Sequence, residues 1–357
     1  MNDTARSSGC QLKLLSTLRA SQAQIDAQTG NRGPTGPSTQ GDPALCVRFT
    51  RDSAYLLSTT KERRLIHLWN PRSGTYISSF RGHGKQVRDV DIEHSNARFV
   101  SCGGDYDVFK WDVESGRIVS KYRGHERDVN AVRYDERNCA VFASGGSDCS
   151  VRLWDARMCA CVQVLAREHF KDTVMSVDWV GGASLITGSV DGCVKEFDVR
   201  QGRVIVDDVA DPVTSVYATE RYLLAACMGM CWSVCDRYSL VRHESLMLTC
   251  SRFVLGHHFP GRDIKLVDRA NGSLLQSFCG HKHTYSKLTA LLTPDEQNVI
   301  SGSEDGFICV WETLRGAESL YRIKAHEGEV TSVAAAGELV ASGGVDGSVF
   351  CFRYACI

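Results

Sequence analysis

The sequence predicts an all-β fold of repeated antiparallel sheets, on three observations. A cassette returns at a period of about 40 residues, its apolar stretches are short and bounded by turn residues, and polar residues stand at constant offsets within it. Phe99-Val100-Ser101-Cys102-Gly103-Gly104-Asp105, then five residues and Trp111-Asp112, returns as Phe142-Ala143-Ser144-Gly145-Gly146-Ser147-Asp148, then five residues and Trp154-Asp155. A unit of this size cannot bury its apolar face alone, so the copies must stack and function must lie on the surface of the stack.

Taken in order, the first anchor is Leu68-Trp69-Asn70, where Arg63 stands six before Trp69 and the Asp is missing. That unit should lack the complete polar set. The Asp to aromatic spacing then holds at Asp105 and Trp111, Asp148 and Trp154, Asp191 and Phe197, Asp305 and Trp311, and Asp346 and Phe352, with Val267-Asp268 as a further anchor. Four residues before each Asp is a hydroxyl: Ser101, Ser144, Thr187, Ser301 and Ser342. Units open on Gly82-His83, Gly124-His125 and Gly280-His281, with Ala325-His326 and a lone His169 as weaker versions. Stretches such as Ser150-Val151-Arg152-Leu153-Trp154 and Gly306-Phe307-Ile308-Cys309-Val310-Trp311 have strand composition between turn residues. Ser, His and Asp together suggest a catalytic triad, but a reaction centre would occur once. Repetition favours a buried hydrogen-bonded network that satisfies its own polar groups.

These residues resemble the WD-repeat family. The resemblance implies four-stranded antiparallel blades, each with a buried network of His, Ser or Thr, Asp and Trp. Seven anchors then fit a seven-bladed β-propeller, residues 1–357 forming one domain. The last blade ends after its third strand, and Leu12-Lys13-Leu14-Leu15-Ser16-Thr17-Leu18 is expected to supply the fourth, closing the ring and pairing open edges. Between Phe197 and Val267 the period is broken. Tyr222-Leu223-Leu224-Ala225-Ala226-Cys227 and Cys231-Trp232-Ser233-Val234-Cys235-Asp236 look like second and third strands, with Gly229 where the Asp should be. The reading is an insertion within the fifth blade, at 219–250, with an eighth blade as the alternative. Residues 30–43, rich in Gly and Pro, read as a flexible loop.

Composition excludes much else. Forty-one basic against 42 acidic residues give a net charge of −1, too little for general binding of nucleic acid. No apolar segment resembles a secretory leader or is long enough to span a bilayer. The 16 cysteines are scattered, as at Cys102, Cys193, Cys309 and Cys351, where Cys serves as a small buried hydrophobe in a reducing compartment. Cys159 with Cys161, and Cys227 with Cys231 and Cys235, come nearest to metal spacing without matching a paired zinc site. The Asn271-Gly272-Ser273 sequon reads as a turn. There is no phosphate loop, dinucleotide fingerprint, His-Glu-x-x-His or nucleophile elbow, so neither enzyme activity nor a cofactor or metal is expected.

Finer resemblance lies in Leu68-Trp69-Asn70-Pro71-Arg72-Ser73-Gly74, Arg81-Gly82-His83-Gly84, Trp111-Asp112-Val113-Glu114-Ser115-Gly116 and Gly188-Ser189-Val190-Asp191-Gly192. These are similar to the mitogen-activated protein kinase organizer group of WD-repeat scaffolds. The resemblance implies a non-catalytic scaffold for kinases of that cascade, in cytoplasm and nucleus, monomeric within larger complexes. Members also resemble spliceosome components, so a propeller acting in pre-mRNA splicing is the alternative. Candidate contacts in the loops are Lys61, Arg63, Arg64, Lys85, Arg88, Arg127, Asn130 and His283. Lys61 to Leu68 looks like a kinase-docking peptide, although Leu65 to Leu68 should be a buried strand. In Trp154-Asp155-Ala156-Arg157 and Phe197-Asp198-Val199-Arg200 an Arg follows the Asp by two, which resembles substrate receptors of cullin ubiquitin ligases. Arg157 and Arg200 are the contacts for that third reading.

Overall fold

The computed structural model describes residues 11–18, 41–165, 169–229, 263–316 and 320–355. Its described strands form seven four-stranded sheets, all antiparallel. Six blades take their strands in sequence order, over 44–81, 87–122, 129–165, 174–208, 213–278 and 290–324. The seventh combines 330–355 with 11–18.

Blade two shows why the sequence reads as it does. Val87–Ile92, Arg98–Gly103 and Val108–Asp112 are largely buried, because neighbouring blades cover both faces of the sheet. Ile118–Tyr122, the outermost strand, alternates between partial and full exposure up to the buried Tyr122. A register shift interrupts the pairing of the first two strands between Val87 and Asp89, and recurs at Val129/Ala131, Val174/Ser176 and Val213/Ser215. Such bulges increase the local twist. The turn before the outer strand explains the Trp-Asp-x-x-x-Gly pattern: Asp112 accepts from Ser115 N at 2.9 Å, and Gly116 adopts φ +67°. The sequon lies in the same turn of blade five, with Gly272 at φ +69°.

The ring closes as expected. Gln11–Leu18 pairs antiparallel with Val349–Ala355, from Leu12 opposite Tyr354 to Leu18 opposite Val349. Leu18 is 1% exposed and clusters with Ala44, Val47, Phe49, Leu56 and Trp69 of blade one. Ser16 Oγ donates to the Pro71 carbonyl at 2.7 Å, so the closing strand also ties blade seven to blade one.

The eight-bladed alternative is not realised. Tyr222–Cys227 pairs with Val213–Ala218 on one side and Ile264–Asp268 on the other, making it the second strand of blade five. Of the stretch 219–250, residues 230–250 lie outside the described residues, as do Cys231, Cys235 and residues 30–40 of the Gly/Pro-rich loop. Among the described residues no helix is long and apolar enough to cross a membrane.

Candidate functional site: buried networks and charged rims

In blades two and three the predicted polar sets assemble. Trp111 Nε1 donates to Ser101 Oγ at 2.8 Å, Ser101 Oγ meets His83 Nε2 at 2.7 Å, and His83 Nδ1 meets Asp105 Oδ2 at 2.8 Å. Trp154, Ser144, His125 and Asp148 repeat this at 2.8, 2.7 and 2.9 Å. One proton arrangement satisfies the indole, the hydroxyl and both ring nitrogens: indole N–H to serine, serine O–H to Nε2, and Nδ1–H to carboxylate. Burial alone would raise the Asp148 pKa, but the hydrogen bonds from His125, Ser150 and the Glu126 N–H hold it at about 2. Ser101 and Ser144 are fully buried, so the sets are structural. Blade seven keeps His326 with Ser342 at 2.8 Å and Asp346 at 3.0 Å, while Phe352 replaces the indole donor.

Blade four substitutes an ion pair. Asp191 accepts from Lys195 Nζ at 3.0 Å, both side chains being buried, and Thr187 Oγ1 donates to the Lys195 carbonyl at 3.3 Å. His169 lies edge-on to Phe197 instead of joining them. Lys195 was missed in the sequence because a lysine on a strand reads as a surface charge.

Blade six corrects the sequence reading: His281, Ser301, Asp305 and Trp311 do not form a network. Asp305 turns outward to Arg322, Ser301 Oγ donates to the Gly302 carbonyl at 3.0 Å, and Trp311 Nε1 donates to the Cys279 carbonyl at 3.1 Å. Both His281 ring nitrogens lack partners, and burial pushes its pKa down to about 3. The cause is Glu304, where blades two and three have Gly104 and Ser147. Its carboxylate collects the N–H groups of Thr284, Tyr285 and Ser286 at 2.7 to 3.0 Å, while Arg322 holds Asp305 away from the imidazole. Blade one is incomplete as expected, since Trp69 Nε1 reaches Ser58 Oγ at 2.9 Å without a His or Asp. Asp42 instead accepts from Glu62 N and Arg63 N, each at 2.8 Å.

Antiparallel blades place their turns alternately at two ends of the ring. One rim holds the links between blades and the turns between second and third strands. On it Lys61, Arg63, Arg64, Lys85 and Arg127 are exposed. Arg88 is half-buried and bonded to Asp128 and Asn130. Two candidates are corrected. Asn130 is buried, donating to Ser147 Oγ at 3.1 Å and the Val174 carbonyl at 2.9 Å. His283 is also buried, its Nε2 between Thr214 Oγ1 at 3.3 Å and the Ser286 carbonyl at 3.0 Å. Both sit where a neighbouring blade seals the loop, which sequence position does not reveal. The docking-peptide reading also fails, because Leu65–Asn70 is a buried strand. Arg157 and Arg200 lie exposed on the opposite rim. Their turns are capped by Asp155 and Asp198, which accept from the arginine N–H groups at 2.7 and 2.9 Å.

The channel between the inner strands adds residues that no motif marked. A cavity of about 310 Å³ is lined by Arg48, Arg133, Asp89, Asp91 and Asp178, among others. Burial raises Asp91 to about 6 and Asp178 to about 7. Arg133 Nη1 lies 2.7 Å from Asp89 Oδ2, across neighbouring blades. Among the described residues no three metal-ligating side chains converge.

A closed ring with buried polar sets and charged rims is a rigid binding platform. Its sequence agrees. The family model for the WD domain, G-beta repeat, matches residues 272–312 and 317–353, and that for the nucleolar protein 10-like N-terminal domain matches 64–222. An uncharacterized WD repeat-containing protein of Schizosaccharomyces pombe is 34% identical over 76% of this chain and 80% of its own length. The chain belongs to the WD-repeat family, whose propellers serve as non-catalytic protein-binding scaffolds. Within that family it is homologous to WD repeat domain-containing protein 83. The rat protein is 35% identical over 77% of this chain and 76% of its own length. The Dictyostelium discoideum homolog is 24% identical over 83% and 89%.

Proposed function

We propose that this scaffold holds kinases of a mitogen-activated protein kinase cascade together, using the rim of Lys61, Arg63, Arg64, Lys85 and Arg127 as a docking face. The observation that carries the reading is homology to WD repeat domain-containing protein 83 along most of the ring, joined to the organizer-like motifs at Leu68 to Gly74 and Trp111 to Gly116. A rigid propeller suits this task, since its loops present several faces at fixed geometry without reorganisation on binding.

A second reading, action in pre-mRNA splicing, follows from the resemblance of the organizer group to spliceosome components. The match of residues 64–222 to a nucleolar protein domain supports residence in the nucleus, which that reading requires, while residence in the cytoplasm follows from the kinase reading. Affinity purification of the full chain from nuclear and cytosolic fractions, read by mass spectrometry, separates the two. Kinases of one cascade in the cytosolic eluate are expected. Spliceosomal proteins alone would overturn the kinase reading, and neither group would overturn both.

A further inference from the structure

Some cations in the described fold have a carboxylate partner, as with Arg133 and Asp89, Lys265 and Asp211, or Arg269 and Glu196. Lys61, Arg63, Arg64 and Lys85 differ: among the described residues none of them forms an ion pair. They share one edge of one rim. Lys61, Arg64 and Lys85 line a single depression together with Glu62, Gln86, Gly104 and Asp128. Lys61 and Gln86 also line an adjoining cavity of about 280 Å³ at the channel mouth, where Arg88, Lys287 and Val345 contribute. The two hollows form one groove running inward from the blade-one hairpin.

The groove is held in shape by the chain around it. Asp42 fixes the hairpin tip through Glu62 N and Arg63 N, and Arg64 is locked at φ +60°. Lys85 Nζ stands 4.7 Å over the Tyr106 ring. Asp128 is occupied by Arg88, Asp42 directs both oxygens at backbone, and Glu329, which lines the inner hollow, accepts from Ser286 Oγ, so Glu62 is the one lining carboxylate without such a partner among the described residues. Tyr106 and Val345, each 38% exposed, supply apolar surface beside the charges.

We infer that this groove docks an acidic, extended segment of a protein partner, carboxylate side chains meeting Lys61, Arg64 and Lys85 and an apolar residue entering the channel mouth. The inference rests on the scaffold reading and names the chemistry of its docking segment. Charge complementarity selects the occupant, because unpaired cations in a concave site recognise closely spaced anions and steer their approach. A protein segment fits better than nucleic acid, which needs a longer basic track than four side chains in a chain of net charge −1.

The test uses the full chain and a fluorescein-labelled twelve-residue peptide alternating Glu with Leu, read by anisotropy at low and moderate salt. Saturable binding that weakens with salt is expected, with at least a tenfold loss in the triple variant Lys61→Glu, Arg64→Glu, Lys85→Glu. Arg157→Glu with Arg200→Glu, on the other rim, should bind like the parent. If the reversal variant fails to fold, Lys61→Gln, Arg64→Gln, Lys85→Gln should still lose several-fold. Unchanged binding by the folded variants, or equal binding of a Lys/Leu peptide or oligo-dT, would overturn the inference. Kinase recovery without peptide binding sinks this inference and leaves the kinase reading standing; peptide binding without kinases does the reverse.

Discussion

Asp148 and Asp305 occupy the same place in the repeat, yet replacing each by Ala should have very different effects. Asp148 receives His125 Nδ1, Glu126 N and Ser150 Oγ in a buried setting. Asp148→Ala therefore strands three polar groups at about 1 to 3 kcal/mol each, less whatever water recovers. A net loss of about 3 to 5 kcal/mol is reasonable, within the range for breaking a buried charged network. Asp305 loses mainly a half-exposed pair with Arg322, worth about 1 kcal/mol or less. Unfolding entropy near 2.1 cal/mol/K per residue gives about 0.75 kcal/mol/K for a chain of 357 residues. The expected shifts in Tm are then about 4 to 7 °C for Asp148→Ala and under about 1.5 °C for Asp305→Ala. Differential scanning calorimetry, with urea titration as a second probe, reads both. Equal shifts would refute the claim that blade six has abandoned the network.

Other consequences follow from burial. His281 and His67 are held neutral by burial at about 3 and 4, so the unfolded chain binds more protons below its ordinary imidazole pKa near 6.5. Each should lower stability as pH falls from about 6.5, by up to about 1.4 kcal/mol per pH unit, until its folded pKa is reached. Asp91 and Asp178 act oppositely, taking up protons in the fold as pH falls through about 6 and 7. The informative quantity is thus the difference between parent and His281→Leu: on going from pH 7 to pH 5 the variant's urea midpoint should rise relative to the parent's, and an identical pH response of the two would contradict the buried neutral imidazole. Leu18→Ala should cost about 2 to 5 kcal/mol by leaving a cavity between blades seven and one. Deleting residues 11–18 should lower Tm further, and an unchanged Tm would disprove the strand closure.

The fold was legible where a local pattern carries its own physics. Asp105 to Trp111 and Asp148 to Trp154 mark a turn cap, a buried donor and a strand at once, so spacing alone located the blades. Leu12 to Leu18 was recognisable because a repeat missing one strand requires another from elsewhere in the chain. Blade six misled because network formation depends on which of two adjacent carboxylates turns inward, and Glu304 with Arg322 decides that in three dimensions. Asn130 and His283 resemble loop residues by position, but a neighbouring blade buries them. The rim cluster was half visible: its cations were identified singly, while their convergence on one groove, and the approach of Lys287 to within 2.9 Å of the Asn130 carbonyl, come from ring closure.

The central claim is that this propeller binds protein partners through the rim bearing Lys61 and Lys85. Amine cross-linking of the purified native complex, read by mass spectrometry, tests it most directly. Lys61, Lys85, Lys13 and Lys121 are all exposed, the first two on that rim and the last two on outer strands. Cross-links to partners should concentrate on Lys61 and Lys85; cross-links confined to Lys13 and Lys121 would contradict the account.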